Sequence, residues 1–169
     1  PGVALISGII NPGGFAEAVW TPSIPNDGYY AVYVSYTSFE NSVPDALYKV
    51  IHSGGTTEFR VNQTMGGGTW VYLGTFHFNE GAGSGQKVVL CNDSKHAGVV
   101  SADAVRFGGG MGNVARGAEG ITSSLPRYLE AARYNLQTGG FPPEVYSAYS
   151  GDNDYRDDIL CRGHAVNYL

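Results

Sequence analysis

Short segments with alternating apolar and polar side chains follow one another through the first two thirds of the chain, separated by glycine-rich turns. The clearest is YYAVYVSYT at residues 29–37, where Tyr30, Val32, Val34 and Tyr36 fall on one face of an extended chain. A period of two is typical of a β-strand with one buried face. No segment of this region has a helical period over a useful length. The pattern therefore predicts an antiparallel β-sandwich or jelly roll.

Further strands are predicted by the same alternation and by enrichment in β-branched and aromatic residues. They cover residues 3–10, 17–21, 45–51, 57–62, 70–78, 87–92 and 99–107. The strand at 70–78 should bend near Gly74, because glycine inside a strand marks a bulge or a bend. The segment HSGG at residues 52–55 is a turn signal.

The pattern changes after the last predicted strand, where a glycine run at residues 108–112 predicts a hinge. Two predicted helices follow, at residues 126–138 and 155–169. We therefore expect a β-sandwich domain at residues 1–110 and a helical segment at residues 113–169. Two helices bury little surface by themselves, so this segment should dock on the sandwich or belong to a larger domain.

The ends of the predicted helices carry recognisable signals. Residues 123–126, SSLP, are typical of a helix start with proline in the first turn. The glycines at 139–140 should end the first helix, and the prolines at 142–143 should prevent it from resuming. Asp152 or Asp154 is expected to cap the second helix.

The charge of the chain argues against several classes of partner. Charged residues make up 15% of the chain, the net charge is −5, and the three lysines form no basic run. We therefore expect no nucleic-acid partner and no polybasic membrane patch. No apolar stretch has the length of a membrane span. The glycine runs match no phosphate-binding loop, and no G-x-S-x-G nucleophile elbow occurs.

Two cysteines occur, one in a predicted strand and one in a predicted helix. Cys91 and Cys161 are far apart in sequence, and no C-x-x-C metal spacing is present. Buried free thiols are the expected state, with a disulfide as the open alternative.

Several motifs follow one another in a fixed order along the predicted sandwich. They are Trp20-x-Pro22-x-Ile24-Pro25, GYYAVYVSY at 28–36, HSGGTT at 52–57, VNQ at 61–63, WVYLGTF at 70–76 and DAVRF at 103–107. In this order they resemble the golvesin or xanthan-lyase carbohydrate-binding-like domains over about residues 15–110. The resemblance implies a sandwich of the galactose-binding or jelly-roll type, and it does not identify a sugar.

The helical segment has a second resemblance. Its motifs are RYLEAARY at 127–134, Val145-Tyr146-Ser147, Asp154-Tyr155, Asp158, Arg162 and Asn167. They are similar to the middle of zinc-dependent N-acetylmuramoyl-L-alanine amidases. This resemblance implies that Glu130 is a metal ligand. The alternative is an ion-paired or solvated carboxylate beside Arg127 or Arg133. Bacteroidetes proteins known as xanthan lyases resemble this arrangement, with a sandwich inside an amidase-like catalytic fold.

The histidines depart from that amidase pattern. The family's zinc site needs two histidines, but His52, His77 and His96 lie in the predicted sandwich and His164 lies in the second predicted helix. We therefore expect no cofactor and no catalysis in this fragment alone. Zinc would bind only in a complete parent protein.

Candidate ligand contacts come from two residue types. Trp20 and Trp70 could stack on the faces of sugars, with core packing as the alternative for each. His52 and Thr56 belong to a polar turn of a ligand-binding kind, and Tyr149 is an aromatic residue in an irregular segment.

Asp103 is an acidic residue in an otherwise apolar predicted strand. We expect it to accept a buried hydrogen bond from Arg60 or from loop amides. A structural calcium site is the alternative.

Together these observations predict an accessory module of an extracytoplasmic bacterial protein, periplasmic, cell-surface or secreted. It would bind or position polysaccharide or peptidoglycan, or act as a scaffold for the rest of its parent chain. The alternative is a part of a zinc amidase or of a polysaccharide lyase such as a xanthan lyase.

Overall fold

The computed structural model describes residues 4–7, 15–82, 85–108, 119, 125 and 127–169. They belong to two compact units, residues 1–108 and 109–169. Most of the predicted glycine hinge, and all but one residue of the predicted helix start at 123–126, lie outside the described residues.

The described strands all lie in the first unit. They are β1 (Ala4–Ser7), β2 (Glu17–Trp20), β3 (Gly28–Ser35), β4 (Ala46–His52), β5 (Gly55–Val61), β6 (Val71–Phe78), β7 (Lys87–Cys91), β8 (Val99–Ala102) and β9 (Ala104–Phe107). They form a four-stranded sheet in the order β2-β7-β4-β5, a three-stranded sheet in the order β6-β3-β9, and the pair β1-β8. Every strand pairing is antiparallel. The predicted mainly β, antiparallel fold class is confirmed.

The two larger sheets share one hydrophobic core. Val32 and Val34 of β3 belong to the same buried cluster as Tyr48 of β4 and Leu90 of β7. This cluster confirms the predicted inward face of β3. Alternate residues of β3 must therefore point away from the core, which determines what its outer face presents.

A buried glutamine connects the core to the strand ends. The Gln63 side chain is fully buried, and its Nε2 donates to the Tyr48 hydroxyl at 3.2 Å and to the Ser101 carbonyl at 2.9 Å. Its Oε1 accepts the Ser101 amide at 2.9 Å. Burial raises the pKa of the Tyr48 hydroxyl, which keeps it protonated. The VNQ motif therefore has a structural role here.

The prediction of one continuous strand at residues 99–107 is wrong. The segment is divided at Asp103 into β8, which pairs with β1, and β9, which pairs with β3. Ser35 donates its hydroxyl to Asp103 Oδ2 at 3.1 Å, whereas Arg60 pairs with Asp93 at 2.9 Å. The expected bond between Asp103 and Arg60 is thus absent, because Arg60 lies at another part of the sandwich.

The second unit contains α1 (Arg127–Glu130), α2 (Ala132–Thr138), α3 (Pro143–Tyr146) and α4 (Asp154–Tyr168). The predicted helix at 126–138 is interrupted at Ala131, whose φ of −162° and ψ of 158° are extended. The prolines at 142–143 were expected to prevent a helix, but Pro143 starts α3, where its missing N–H needs no partner. The N-cap of α4 is Asn153, which accepts the Arg156 amide at 3.0 Å.

Arg133 of α2 connects three segments of the second unit. Its Nη1 lies 2.5 Å from Asp154 Oδ1 and 3.4 Å from Asp157 Oδ2, and its Nη2 donates to Ser147 Oγ at 2.9 Å. The Asp157 side chain is fully buried and also accepts the Tyr149 amide at 2.6 Å. Asp154 and Asp157, at the start of α4, therefore connect α2, α4 and the loop before α4.

Candidate functional site

The outer face of the three-stranded sheet carries aromatic residues. Because Val32 and Val34 point inward, Tyr29, Ala31 and Tyr33 point outward from β3. The register of β3 against β6 then sets the neighbouring pairs: Tyr29 opposite His77, Ala31 opposite Thr75 and Tyr33 opposite Tyr72.

The first group of rings lies at the start of β3. Tyr29 is 76% exposed, and its ring meets the His77 imidazole edge-on at 5.1 Å between centroids. The Ser53 hydroxyl donates to the His77 carbonyl at 2.9 Å and lies 2.9 Å from His77 Nδ1. This contact occupies Nδ1 and leaves the other ring nitrogen, Nε2, as the polar atom of His77 that can take part in a further hydrogen bond.

The second group is built around an arginine between two rings. The Arg106 guanidinium lies 4.3 Å from the Tyr33 ring centroid and 4.9 Å from the Trp70 ring centroid. Burial lowers the pKa of Arg106, while Tyr33 raises it. The pKa of an arginine lies so far above neutrality that the guanidinium stays charged. Such stacking holds the Trp70 ring in a defined orientation on the outer face.

Tyr72 extends this second group along β6. Its ring lies 5.2 Å from that of Tyr33, and its hydroxyl is 2.7 Å from Thr75 Oγ1. The side chain therefore lies along the strand instead of standing perpendicular to it, and it is 46% exposed. We call the set formed by Trp70, Tyr72, Thr75, His77 and Tyr29 the outer aromatic strip.

The strip combines apolar ring faces with polar atoms at the ring edges. Hydroxyls of tyrosine and threonine, together with the imidazole Nε2 of His77, can donate or accept hydrogen bonds. No Asp or Glu occurs in β3, β6 or β9. A flat surface of this kind suits ligands that have both apolar C–H faces and peripheral hydroxyls.

Of the two tryptophans predicted to contact a ligand, only Trp70 lies on the strip. Trp20 ends β2 and packs against the hydrophobic core. Trp20 therefore has the alternative role, which is core packing.

His52 and Thr56 lie at the hairpin between β4 and β5. The His52 ring packs on Phe76 at 4.9 Å, its Nε2 lies 3.1 Å from Thr57 Oγ1, and its Nδ1 accepts the Gly54 amide at 3.2 Å. Both imidazole nitrogens are thus engaged within the turn, and Thr56 is exposed beside them. The same turn reaches the strip through Ser53.

Tyr149 lies in the second unit. Its hydroxyl accepts a hydrogen bond from Arg156 Nη1 at 2.7 Å. With Ile159 and Leu160 these two residues line a cavity of about 260 Å³. Tyr149 therefore lines a cavity of the second unit.

Glu130 also lies in the second unit. It lines a cavity of about 340 Å³ with Tyr134, Asp154 and Asp158 among its other residues, and none of the four histidines lines it. Within the described part of the chain, no three His, Cys, Asp or Glu side chains are grouped so as to hold a metal ion. Zinc sites in proteins use imidazole or thiolate ligands, so the described residues do not fit zinc, and the ligand role of Glu130 stays a prediction.

Comparison with known proteins assigns the first unit. The Golvesin C-terminal domain matches residues 10–109, more than half of the chain. The chain belongs to the Golvesin C-terminal domain family. It is also 38% identical over 96 residues to a xanthan lyase of Bacillus sp. (strain GL1), a match that covers 56% of this chain and 10% of that protein. No solved structure matches the chain significantly.

The whole outer aromatic strip lies inside the Golvesin C-terminal domain. The family match ends at residue 109, so the amidase resemblance of residues 113–169 stays a prediction. None of the described helices is both long enough and apolar enough to cross a bilayer. Cys91 and Cys161 are free and buried.

The sequence interpretation missed most of the strip. Tyr29, Tyr72 and His77, with Arg106 behind them, were not singled out. The available signal was that residues 28–36 have tyrosines on both faces, whereas only one face can be buried against the second sheet. The Tyr29 and Tyr33 positions could have been chosen on that ground.

Proposed function

We propose that this Golvesin C-terminal domain is an accessory module that binds carbohydrate through the outer aromatic strip. The observation that carries the proposal is the exposure of large rings on a sheet face. Tyr29, the second residue of β3, is 76% exposed although it is paired with His77 of β6. Rings left in water on one contiguous face are typical of a binding surface.

The ordering of the strip supports binding by a preformed surface. Arg106 holds Trp70 by stacking, and the Tyr72 hydroxyl is fixed by Thr75. Rings that are already held in place lose little conformational entropy when a ligand arrives. The domain would therefore bind without a large rearrangement.

The contact between Ser53 and His77 adds to this ordering. The Ser53 hydroxyl lies 2.9 Å from both the His77 carbonyl oxygen and His77 Nδ1, so the turn between β4 and β5 holds the His77 end of the strip.

The ligand class is a polysaccharide, with peptidoglycan as the second candidate. The xanthan lyase that shares 38% identity is named for a polysaccharide, although the match covers only a tenth of that protein. Polymers of this kind do not enter the cytoplasm, so the proposal places the domain outside it. There the domain would position its parent chain on the polymer.

We expect Tyr72→Ala and Tyr29→Ala each to weaken retention on a soluble polysaccharide by roughly tenfold, since an aromatic contact contributes about 1 kcal/mol beyond its buried area. The measurement is affinity electrophoresis in gels that contain xanthan, with sedimentation on insoluble peptidoglycan in parallel. Trp70→Ala should have an effect at least as large.

Tyr155→Ala is the matched control, because Tyr155 is 75% exposed and lies on α4 in the second unit. It should be retained like the parent chain. Retention of all strip variants at the parent level would place binding elsewhere. No retention on either polymer would leave a scaffold or spacer as the role of the domain.

A further inference from the structure

We infer, on the basis of the proposed function, that the outer aromatic strip takes an internal stretch of an extended glycan chain that runs along β6. A single terminal sugar would use only one ring. The inference rests on the length of the strip, its division into two ring groups and its openness.

The strip is long compared with one sugar ring. It runs from Trp70, just before β6, to His77 near its end. With a rise of roughly 3.3 Å per residue, these positions are about 20 Å apart along the strand. Only a ligand of several connected sugar residues can contact both ends.

The available rings form two groups along the sheet. Tyr29 and His77 pair in register at one level, and Tyr72 lies opposite Tyr33 at the other. The two levels are four residues apart along β3, roughly 13 Å. Tyr33 is only 2% exposed, so the second group presents the rings of Tyr72 and Trp70. A chain could therefore stack on both groups while an intervening sugar passes over the exposed Thr75.

The strip is open at both ring groups. Tyr29 and Tyr72 keep 76% and 46% of their surface in solvent, so neither ring lies at the bottom of a pocket. Recognition of a chain end needs a closed wall that stops the polymer, whereas an open face accepts chain interiors. β6 is the edge strand of its sheet, and the turn between β4 and β5 bonds to its edge at His77. A chain would therefore lie over the outer face and not alongside that edge.

Polar atoms are spaced along the same line. The Tyr72 and Thr75 hydroxyls form one pair at 2.7 Å, and His77 Nε2 follows two residues further along β6. Each retains capacity for a further hydrogen bond. Successive sugars could thus exchange hydrogen bonds with successive polar groups, which favours a linear chain in one orientation.

The test is isothermal titration of the whole chain with intact xanthan, with size-fractionated xanthan oligosaccharides and with the monosaccharides released by complete hydrolysis. We expect affinity to rise with length until both ring groups are covered and then to level off. Because each additional ring contact is worth up to about tenfold, the shortest ligands should bind roughly 100-fold more weakly than the plateau.

Tyr29→Ala provides the sharper test. It should weaken long oligosaccharides by roughly tenfold and short ones by much less, since short ligands can still bind on the Trp70 and Tyr72 group. Blocking the reducing ends should change nothing. Length-independent affinity, or loss on blocking the ends, would overturn this inference and leave carbohydrate binding intact. No binding of any xanthan preparation or of peptidoglycan would overturn both.

Discussion

Replacing Gln63 with alanine is expected to lower the free energy of unfolding of the first unit by about 3 kcal/mol or more, because buried polar groups left without partners cost about 1–3 kcal/mol each. Three partners would lose their bonds: the Ser101 amide, the Ser101 carbonyl and the Tyr48 hydroxyl. Gln63 is fully buried, so bulk water does not reach these three groups once the side chain is removed.

Tryptophan fluorescence can follow this unfolding selectively, because both tryptophans, Trp20 and Trp70, lie in the first unit. A loss of this size should lower the thermal midpoint by more than about 10 °C for a domain of this length. Thr56→Ala, at an exposed position of β5, should change the midpoint little. A loss below about 1 kcal/mol for Gln63→Ala would show that these hydrogen bonds do not hold the core together.

Replacing Arg133 with methionine is expected to destabilise the second unit by about 3–5 kcal/mol, since it leaves a buried charge unpaired. The Arg133 side chain is 12% exposed, and its partner Asp157 is fully buried. Asp154 and Ser147 would lose contacts as well. Hydrogen exchange at the amides of α4 should therefore accelerate strongly.

Two further variants make that experiment decisive. Arg162 pairs with Asp158 at 2.6 Å but is 63% exposed, so Arg162→Met should cost less than about 1 kcal/mol. Arg133→Met combined with Asp157→Asn removes both charges and should recover part of the lost stability. If Arg133→Met changed exchange in α4 no more than Arg162→Met, the pair would not be the connection that the distances indicate.

The β fold could be predicted because alternation is a local property of the sequence. The inward face of β3 was identified correctly from the alternation of Tyr30, Val32, Val34 and Tyr36. The division of residues 99–107 was not predictable in the same way, because only Asp103 separates β8 from β9 in sequence. Only their different partners, β1 and β3, separate them.

In the second unit, local helix propensity does not predict where a helix is interrupted. The interruption at Ala131 falls in the segment LEAARY, which has high helix propensity. Tertiary bonds compete with that propensity: Arg133 donates its amide to Asp158 Oδ1 at 3.1 Å, a position that a continuous helix would use internally. The partner is distant in sequence, so no local pattern could indicate it.

The candidate site was only partly predictable for a related reason. Trp20 and Trp70 both belong to predicted strands, yet one packs on the core and the other stacks on Arg106. The face on which the aromatic residues of β6 lie depends on its register against β3, including the shift between Val32 and Tyr33. That register is set by the whole sheet.

The two tryptophans also provide the most direct test of carbohydrate binding by the outer aromatic strip. The measurement is the nitrogen–proton NMR spectrum of the chain during titration with size-fractionated xanthan oligosaccharides, in which Trp20 and Trp70 give the two indole signals. We expect the Trp70 indole and the amides of Tyr29, Tyr72 and His77 to shift together, while the Trp20 indole stays in place. Shifts at Trp20 or in the second unit, with the strip unchanged, would contradict the proposed site.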